Sequence, residues 1–209
     1  MSNQISYTQE VLRKSIHLSS LWMVIAMGFL PRLVNIILFA VLLAGCIITE
    51  YGNHKGWKLF TVTYGALFNR MLREKEKQAD FRLSGAPYLI GAALMCVVLF
   101  PTVIAMTGFA VMLIGDTVAA LIGRRFGRHP INAGTKSLEG SLAFCVAGFV
   151  IVLFFFFSCA QPMLFLISGG IGVVVAALAE AYENRIHLDD NFSIPLAVGI
   201  CLSLGQMMA

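Results

Sequence analysis

A lone acid, Asp116, stands near one end of an apolar run, and that run leads straight into a cationic, glycine-rich segment. The stretch reads Gly115-Asp116-Thr117-Val118-Ala119-Ala120-Leu121-Ile122-Gly123-Arg124-Arg125-Phe126-Gly127-Arg128-His129-Pro130, and Lys136-Ser137-Leu138-Glu139-Gly140 follows. A carboxylate inside a membrane span costs roughly 2.5–3.5 kcal/mol at mid-bilayer on insertion scales, so such a residue marks function by default. Here the acid lies beside cations, a pairing that suits a metal ion and a phosphate-bearing ligand. Arg124 and Arg128 can hold phosphate oxygens in bidentate fashion. Gly123 and Gly127 permit tight turns and close backbone approach. Lys136 and Ser137 fall where a helix should begin, and the free N–H groups and positive dipole end of a helix favour phosphate. Glu139, in the first turn, can complement that dipole, hold a cation or orient Lys136. Gly134-Thr135-Lys136-Ser137 is not a Walker A loop, because its glycine and lysine spacing is wrong.

The elements that must position these groups are membrane helices. Of 209 residues 58% are hydrophobic and 12% charged, with mean hydropathy +0.83, which excludes a soluble globular core and leaves no room for a large extramembrane domain. Seven apolar stretches lie at about 15–30, 33–50, 86–100, 102–123, 138–160, 162–183 and 192–209. The first is short, and Arg13 and Lys14 are expected to snorkel and lengthen it. A basic start before a short apolar run also has the form of a signal peptide, with Ala26-Met27-Gly28 as a cleavage site; a motif within residues 10–17 argues against removal. With seven spans, the N-terminus and segments 51–85, 124–137 and 184–191 share one side and carry 14 of the 15 Lys and Arg residues. The positive-inside rule makes that side cytoplasmic. The expectation is an all-α polytopic bundle of about seven transmembrane helices, a single integral-membrane domain over residues 1–209, with the N-terminus in the cytoplasm.

Residues 51–85 form the longest loop, in which Trp57, Phe60, Tyr64, Leu67, Phe68 and Met71 recur at helical spacing, so an interfacial amphipathic helix is expected there. Gly115, Ala119 and Gly123 repeat every four residues and should let a neighbouring helix come close. Further acids collect on the same side. Glu50 closes the second stretch, Glu180 and Glu183 end the sixth, and Asp189-Asp190-Asn191 precedes the seventh. Paired acids there suit magnesium, which takes one or two carboxylates plus phosphate oxygens; Asp190 or Asn191 can equally serve as a helix N-cap. The five cysteines and four histidines lack disulfide or zinc spacing.

Together these segments resemble the family of CTP-dependent lipid kinases that includes dolichol kinase, phytol kinase and the yeast-type diacylglycerol kinase. The resemblance rests on four segments in order: Glu10-Val11-Leu12-Arg13-Lys14-Ser15-Ile16-His17; Arg73-Glu74-Lys75-Glu76 followed by Gly85 and Tyr88; Gly115 through Gly140; and Asp189-Asp190-Asn191-Phe192-Ser193-Ile194-Pro195. It implies transfer of a phosphoryl group from CTP to the hydroxyl of a membrane lipid alcohol (a polyprenol or dolichol, phytol, or diacylglycerol) with a divalent cation. On that reading Asp116, Asp190 and Glu139 serve the magnesium, and Lys136 stands nearest the transferring group. Arg124, Arg128, Gly123, Gly127, Ser137 and Arg73 serve the nucleotide. Arg13, Lys14, His17, Glu76 and Asn191 serve the lipid or support the site. The short chain is similar to compact bacterial members, which places it in a bacterial cytoplasmic membrane with its site facing the cytoplasm. The bilayer is an expected partner, nucleic acid is not, and the small-residue stripes allow an oligomer. Phosphatidate cytidylyltransferase shares the Asp…Gly-Arg…Glu-Gly pattern, but its Ser-Pro before the lysine is replaced here by Gly134-Thr135. A small lipid transporter is the remaining alternative, although no inverted repeat is visible.

Overall fold

A computed structural model describes residues 7–57, 83–131, 136–182 and 188–209. The described chain is helical apart from one small hairpin. Its elements are α1 (Tyr7–Ser19), α2 (Leu21–Phe29), α3 (Arg32–His54), α4 (Gly85–Leu99), α5 (Thr102–Phe126), β1 (Pro130–Ile131), β2 (Lys136–Ser137), α6 (Leu138–Ser158), α7 (Met163–Ala181) and α8 (Asp190–Met207). Four of them, α3, α5, α6 and α7, are long and apolar enough to cross a membrane, and α4 is a shorter apolar helix. The protein is thus a multi-pass, all-α membrane protein. The expected interfacial helix from Trp57 to Met71 lies, beyond Trp57, outside the described residues, as do Arg73, Glu76 and Glu183.

Proline sets several of the boundaries. Pro31, Pro101 and Pro162 occupy the N-cap positions of α3, α5 and α7. A residue that fixes φ and lacks an N–H ends one apolar run and opens the next. Ahead of Pro162, the turn after α6 uses Ala160 at φ 47°, with Gln161 N–H bonded to Phe156 C=O at 3.0 Å. This is the Schellman arrangement with alanine in the place usually given to glycine.

The centre of the bundle is α5. Residues from Ile104 to Ala119 are buried on almost every side, and 72% of its apolar window is buried against 17% for α3. A helix apolar all round belongs inside a bundle. Helices α1, α2, α4, α6 and α8 all pack on α5, and α7 closes the far side against α6 and α8. The expected small-residue stripe does bring a helix close. Phe144 of α6 lies on Gly115, and a Cβ on Gly140 would come within 2.9 Å of the Ala119 carbonyl oxygen. Gly123 meets Ser137 Oγ and the Gly140 backbone in the same way.

The first apolar stretch departs from expectation. It is two helices, α1 and α2, separated at Ser20. Lys14 does not snorkel. Its side chain is 3% exposed because it is turned inward onto Asp116. An ammonium is buried only where a carboxylate compensates it, and here that partner lies 102 residues further along the chain.

Candidate functional site

The site grows from α1 and α5. On α1, Glu10, Lys14 and His17 recur at i, i+4 and i+7 and so share one face. That face is laid against the second half of α5. Lys14 Nζ donates to Asp116 Oδ2, and His17 Nε2 stands 3.5 Å from the same oxygen. Glu10 lies between two cations: Arg13 bonds its Oε1, and Arg124 Nη1 reaches its Oε2 at 3.2 Å. Asp116 is 5% exposed, Glu10 5% and Lys14 3%, so this is a desolvated network rather than a solvated face. Two polar atoms in it, Arg13 Nε and His17 Nε2, are buried without a hydrogen-bond partner among the described residues. Such atoms retain the capacity to bond a ligand.

A second arm comes from the hairpin. Strands β1 and β2 pair antiparallel, with Pro130 opposite Ser137 and Ile131 opposite Lys136, and β2 runs directly into α6. Ser137 caps α6 by accepting the Gly140 N–H at 3.1 Å. Lys136, one residue earlier, pairs with the buried Glu180 at the end of α7. Burial works against the Lys136 ammonium, but Glu180, Asp116 and Asp190 outweigh it and raise its pKa above the ordinary lysine value. Of the three, Glu180 is in direct contact with the ammonium, and the other two act on it through their charge. Asp190 also acts on Arg13, so the start of α8 joins both arms.

Several expectations are met differently from the way the sequence suggested. The cap of α8 is Asp189, which accepts the Asn191 N–H at 3.0 Å, and neither Asp190 nor Asn191. Asn191 Nδ2 holds Asp189 Oδ1 at 2.6 Å and lies 3.4 Å from Asp190 Oδ1, so it orients this acidic pair. Glu139 does not orient Lys136. It pairs with His129, Nδ1 to Oε1 at 2.7 Å, outside the buried network. Among the described residues no three of His, Cys, Asp and Glu gather as a ready-made metal shell, so Asp116, Asp190 and Glu139 do not form one together. Gly123 and Gly127 have packing roles: a Cβ on Gly127 would meet the Gly123 carbonyl oxygen and the Ser137 side chain. Glu50 is structural, accepting Ser84 N–H at 2.9 Å and the Ser84 hydroxyl at the start of α4. Arg73 and Glu76 lie outside the described residues.

Two residues that sequence reasoning left in the background are central, Glu10 and Glu180. The spacing of Glu10, Lys14 and His17 is a signal that could have found the first. Nothing local identifies Glu180 as the partner of Lys136.

Charge is balanced across the cluster. Arg13, Lys14, Arg124 and Lys136 face Glu10, Asp116, Glu180 and Asp190. Such a set can exchange internal carboxylates for phosphate oxygens. It sits where the ends of α5, α7 and α8 meet the hairpin, so a polar ligand can meet a lipid-facing helix surface.

The chain is 31% identical to CTP-dependent diacylglycerol kinase 1 of Schizosaccharomyces pombe, over 97% of this chain and 98% of that protein. It is 28% identical to an uncharacterized protein of Rickettsia prowazekii over 93% of this chain and 92% of that one. Dolichol kinase of Saccharomyces cerevisiae is 35% identical across 44% of this chain and 18% of the larger enzyme. No protein-family model matches the chain, and no solved structure matches it. A relative aligned along nearly its full length at this identity shows that the chain belongs to the family of CTP-dependent lipid kinases, with diacylglycerol, dolichol and phytol kinases among its relatives.

Proposed function

We propose that this protein transfers the γ-phosphoryl group of CTP to the hydroxyl of a membrane lipid alcohol at the cytoplasmic face. The observation that carries the reading is the buried network on Asp116. Ion pairs that a polyphosphate can take over join α1 to α5 and the β hairpin to α7, and the charges of Asp116 and of Asp190 at the start of α8 act on the Lys136 ammonium. The preference for CTP is supported by the likeness, along nearly the whole chain, to the CTP-dependent diacylglycerol kinase of Schizosaccharomyces pombe. The lipid is a polyprenol or dolichol, phytol, or diacylglycerol. Full-length alignment favours testing diacylglycerol on equal terms with the others.

Phosphoryl transfer calls for positioning and charge neutralisation more than for covalent help. Lys136, held by Glu180 and fully charged, meets the γ-phosphate. Arg124 and Arg128 neutralise the rest of the triphosphate, and the first turn of α6 beyond Ser137 offers its dipole. Divalent magnesium suits this donor set, since one or two carboxylates and phosphate oxygens suffice. Asp116 and Asp190, which both act on Lys136, would hold it. When bound, the cation supplies charge neutralisation on the phosphates. Lys14 and His17 keep Asp116 in place before the nucleotide arrives. Asp190, positioned by Asn191, or Glu139 either completes that shell or accepts the alcohol's proton. The lipid tail lies between helices, with its hydroxyl at the depth of this cluster.

The test is product analysis on purified protein in detergent with γ-labelled CTP, magnesium, and undecaprenol, dolichol, phytol or diacylglycerol. Label in a lipid, lost in Asp116→Asn, is the expected outcome. Pyrophosphate and a CDP-lipid from phosphatidic acid would make it a cytidylyltransferase instead. A folded protein that turns over no nucleotide would remove the kinase reading.

A further inference from the structure

The pair between Lys136 and Glu180 has to open if Lys136 is to meet a phosphate. Glu180, whose side chain is 3% exposed, then loses its cation. Removing one partner of a buried pair leaves an uncompensated charge, which is costly. A second donor has to stand ready beside that carboxylate. We propose that Ser141 of α6 is this donor, a positioning residue whose hydroxyl takes over the Glu180 carboxylate when Lys136 swings to the phosphate. The inference rests on the phosphoryl-transfer reading above and deepens it.

The first support is an unused hydroxyl. Ser141 Oγ is buried and has no hydrogen-bond partner among the described residues. Other helical hydroxyls of this protein are satisfied on their own helix. Thr107, Thr117 and Ser168 each donate at 2.7 Å to the carbonyl four residues earlier. Ser141 makes no such bond, so its proton is uncommitted. A hydroxyl held out of water with no partner costs stability. Such a group calls for a specific explanation, and an acceptor that becomes available in a second state supplies one.

The second support is register. A Cβ on Gly148 would lie 2.8 Å from Val173 Cγ1, and one on Gly169 would lie 2.6 Å from Val152 Cγ1, so α6 and α7 run antiparallel. Seven residues, close to two turns, lead from Gly148 back to Ser141 and from Val173 on to Glu180. Both steps run toward the hairpin and keep the same helix face. Ser141 therefore stands opposite Glu180 across the α6–α7 contact. Lys136 and Ser141 also belong to one continuous segment, since β2 passes directly into α6.

The chemistry suits an exchange. An ionised carboxylate only accepts, and its two oxygens offer about four lone-pair positions. A serine hydroxyl rotates to suit its acceptor, and its bond to an ionised one is stronger than a neutral bond. The lysine stem is flexible enough to carry the ammonium from one anion to another. Ser141 eases the exposed charge of Glu180 without neutralising it, so the ion pair re-forms once the phosphate departs.

The experiment titrates inorganic tripolyphosphate into the full chain in detergent, reads Kd by calorimetry, and records the ligand-free Tm of each protein. A hydrogen bond to a charged group is worth about 10- to 150-fold in an equilibrium constant, so Ser141→Ala should weaken tripolyphosphate binding by at least about tenfold. Its ligand-free Tm should not fall, because no resting bond is lost. Ser141→Thr keeps a hydroxyl and should recover most of the affinity. Unchanged affinity in Ser141→Ala, equal weakening in both variants, or a lowered ligand-free Tm in Ser141→Ala would each overturn the proposal. Wild type that binds no tripolyphosphate would overturn the exchange and the proposal with it, while lipid labelling from CTP by that same protein would leave the kinase reading standing. Wild type that binds tripolyphosphate but labels no lipid would remove the kinase reading, and the variant affinities would still decide the role of Ser141.

Discussion

Lys14 and Asp116 pair across 102 residues, both nearly inaccessible, and breaking that pair is the sharpest perturbation the fold offers. Lys14→Met leaves Asp116 with its main compensating charge removed, and Asp116→Asn leaves a buried ammonium facing a neutral amide. Removing one partner of a buried pair costs about 3–5 kcal/mol, whereas replacing both by neutral groups of similar volume is often close to neutral. At about 2–4 °C per kcal/mol for a chain of this length, each single variant should lower Tm by about 6–20 °C. The double variant should lose less than the sum, with a coupling of about 3 kcal/mol. Neighbouring cations soften the Lys14→Met arm, since His17 remains beside Asp116. Thermal unfolding in detergent, followed by the fluorescence of Trp22 and Trp57, measures all four corners of the cycle. Strictly additive losses, or single variants within about 1 kcal/mol of wild type, would refute the claim that α1 is fastened to α5 by this charge pair.

Other consequences are as direct. Gly140→Ala drives a methyl to within 2.9 Å of the Ala119 carbonyl oxygen, a backbone atom that cannot turn aside, so a loss of about 1–3 kcal/mol is expected in the same unfolding assay. At Gly45 of α3 no atom lies within 4 Å of a new Cβ, and Gly45→Ala should be neutral or stabilising by up to about 1 kcal/mol. Ala160→Gly should raise stability by about 1 kcal/mol, because it relieves a left-handed alanine at the end of α6. Lys136, with its pKa raised by Glu180, Asp116 and Asp190, should resist amine acylation at pH 9 while exposed Lys55 reacts. The ion-pair contribution of Lys136 to stability is complete below the ordinary lysine value and is lost only as pH rises through the raised one, so no stability change between pH 6 and 9 should trace to it. Mass-spectrometric mapping tests the acylation, and Glu180→Gln should increase labelling of Lys136.

Much of this was legible before any coordinates. Apolar run length located α3, α5, α6 and α7 to within a few residues, because that signal is local. Asp116 could be singled out because an ionisable group inside an apolar run is expensive, and Lys136 and Asp190 because they stand at the starts of apolar runs on the same side of the membrane. The pairings were not legible. Lys14 looks like a snorkelling flank, and only the approach of a helix a hundred residues away makes it a buried cation. Lys136 had three acids within plausible reach, and the choice of Glu180 over Glu139 depends on where α7 ends against the hairpin. Gly123 and Gly127 looked like ligand cradles for the same reason: sequence shows that space is required, and only packing shows what fills it.

The order of the chain around Asp116 bears on how the protein enters the bilayer. Lys14 and Glu10 are made first, and Asp116 follows 102 residues later. At about 5–20 residues per second the ribosome needs roughly 5–20 s to cover that distance. By then α1 and α2 can already be seated. The acid that would be expensive on its own is delivered to a waiting ammonium, and Arg124 arrives a turn or two later to meet Glu10. Synthesis from the N-terminus thus spares the central helix any obligatory stage as an uncompensated anion. A circular permutant that moved α1 to the end of the chain would keep every contact and lose that order of events.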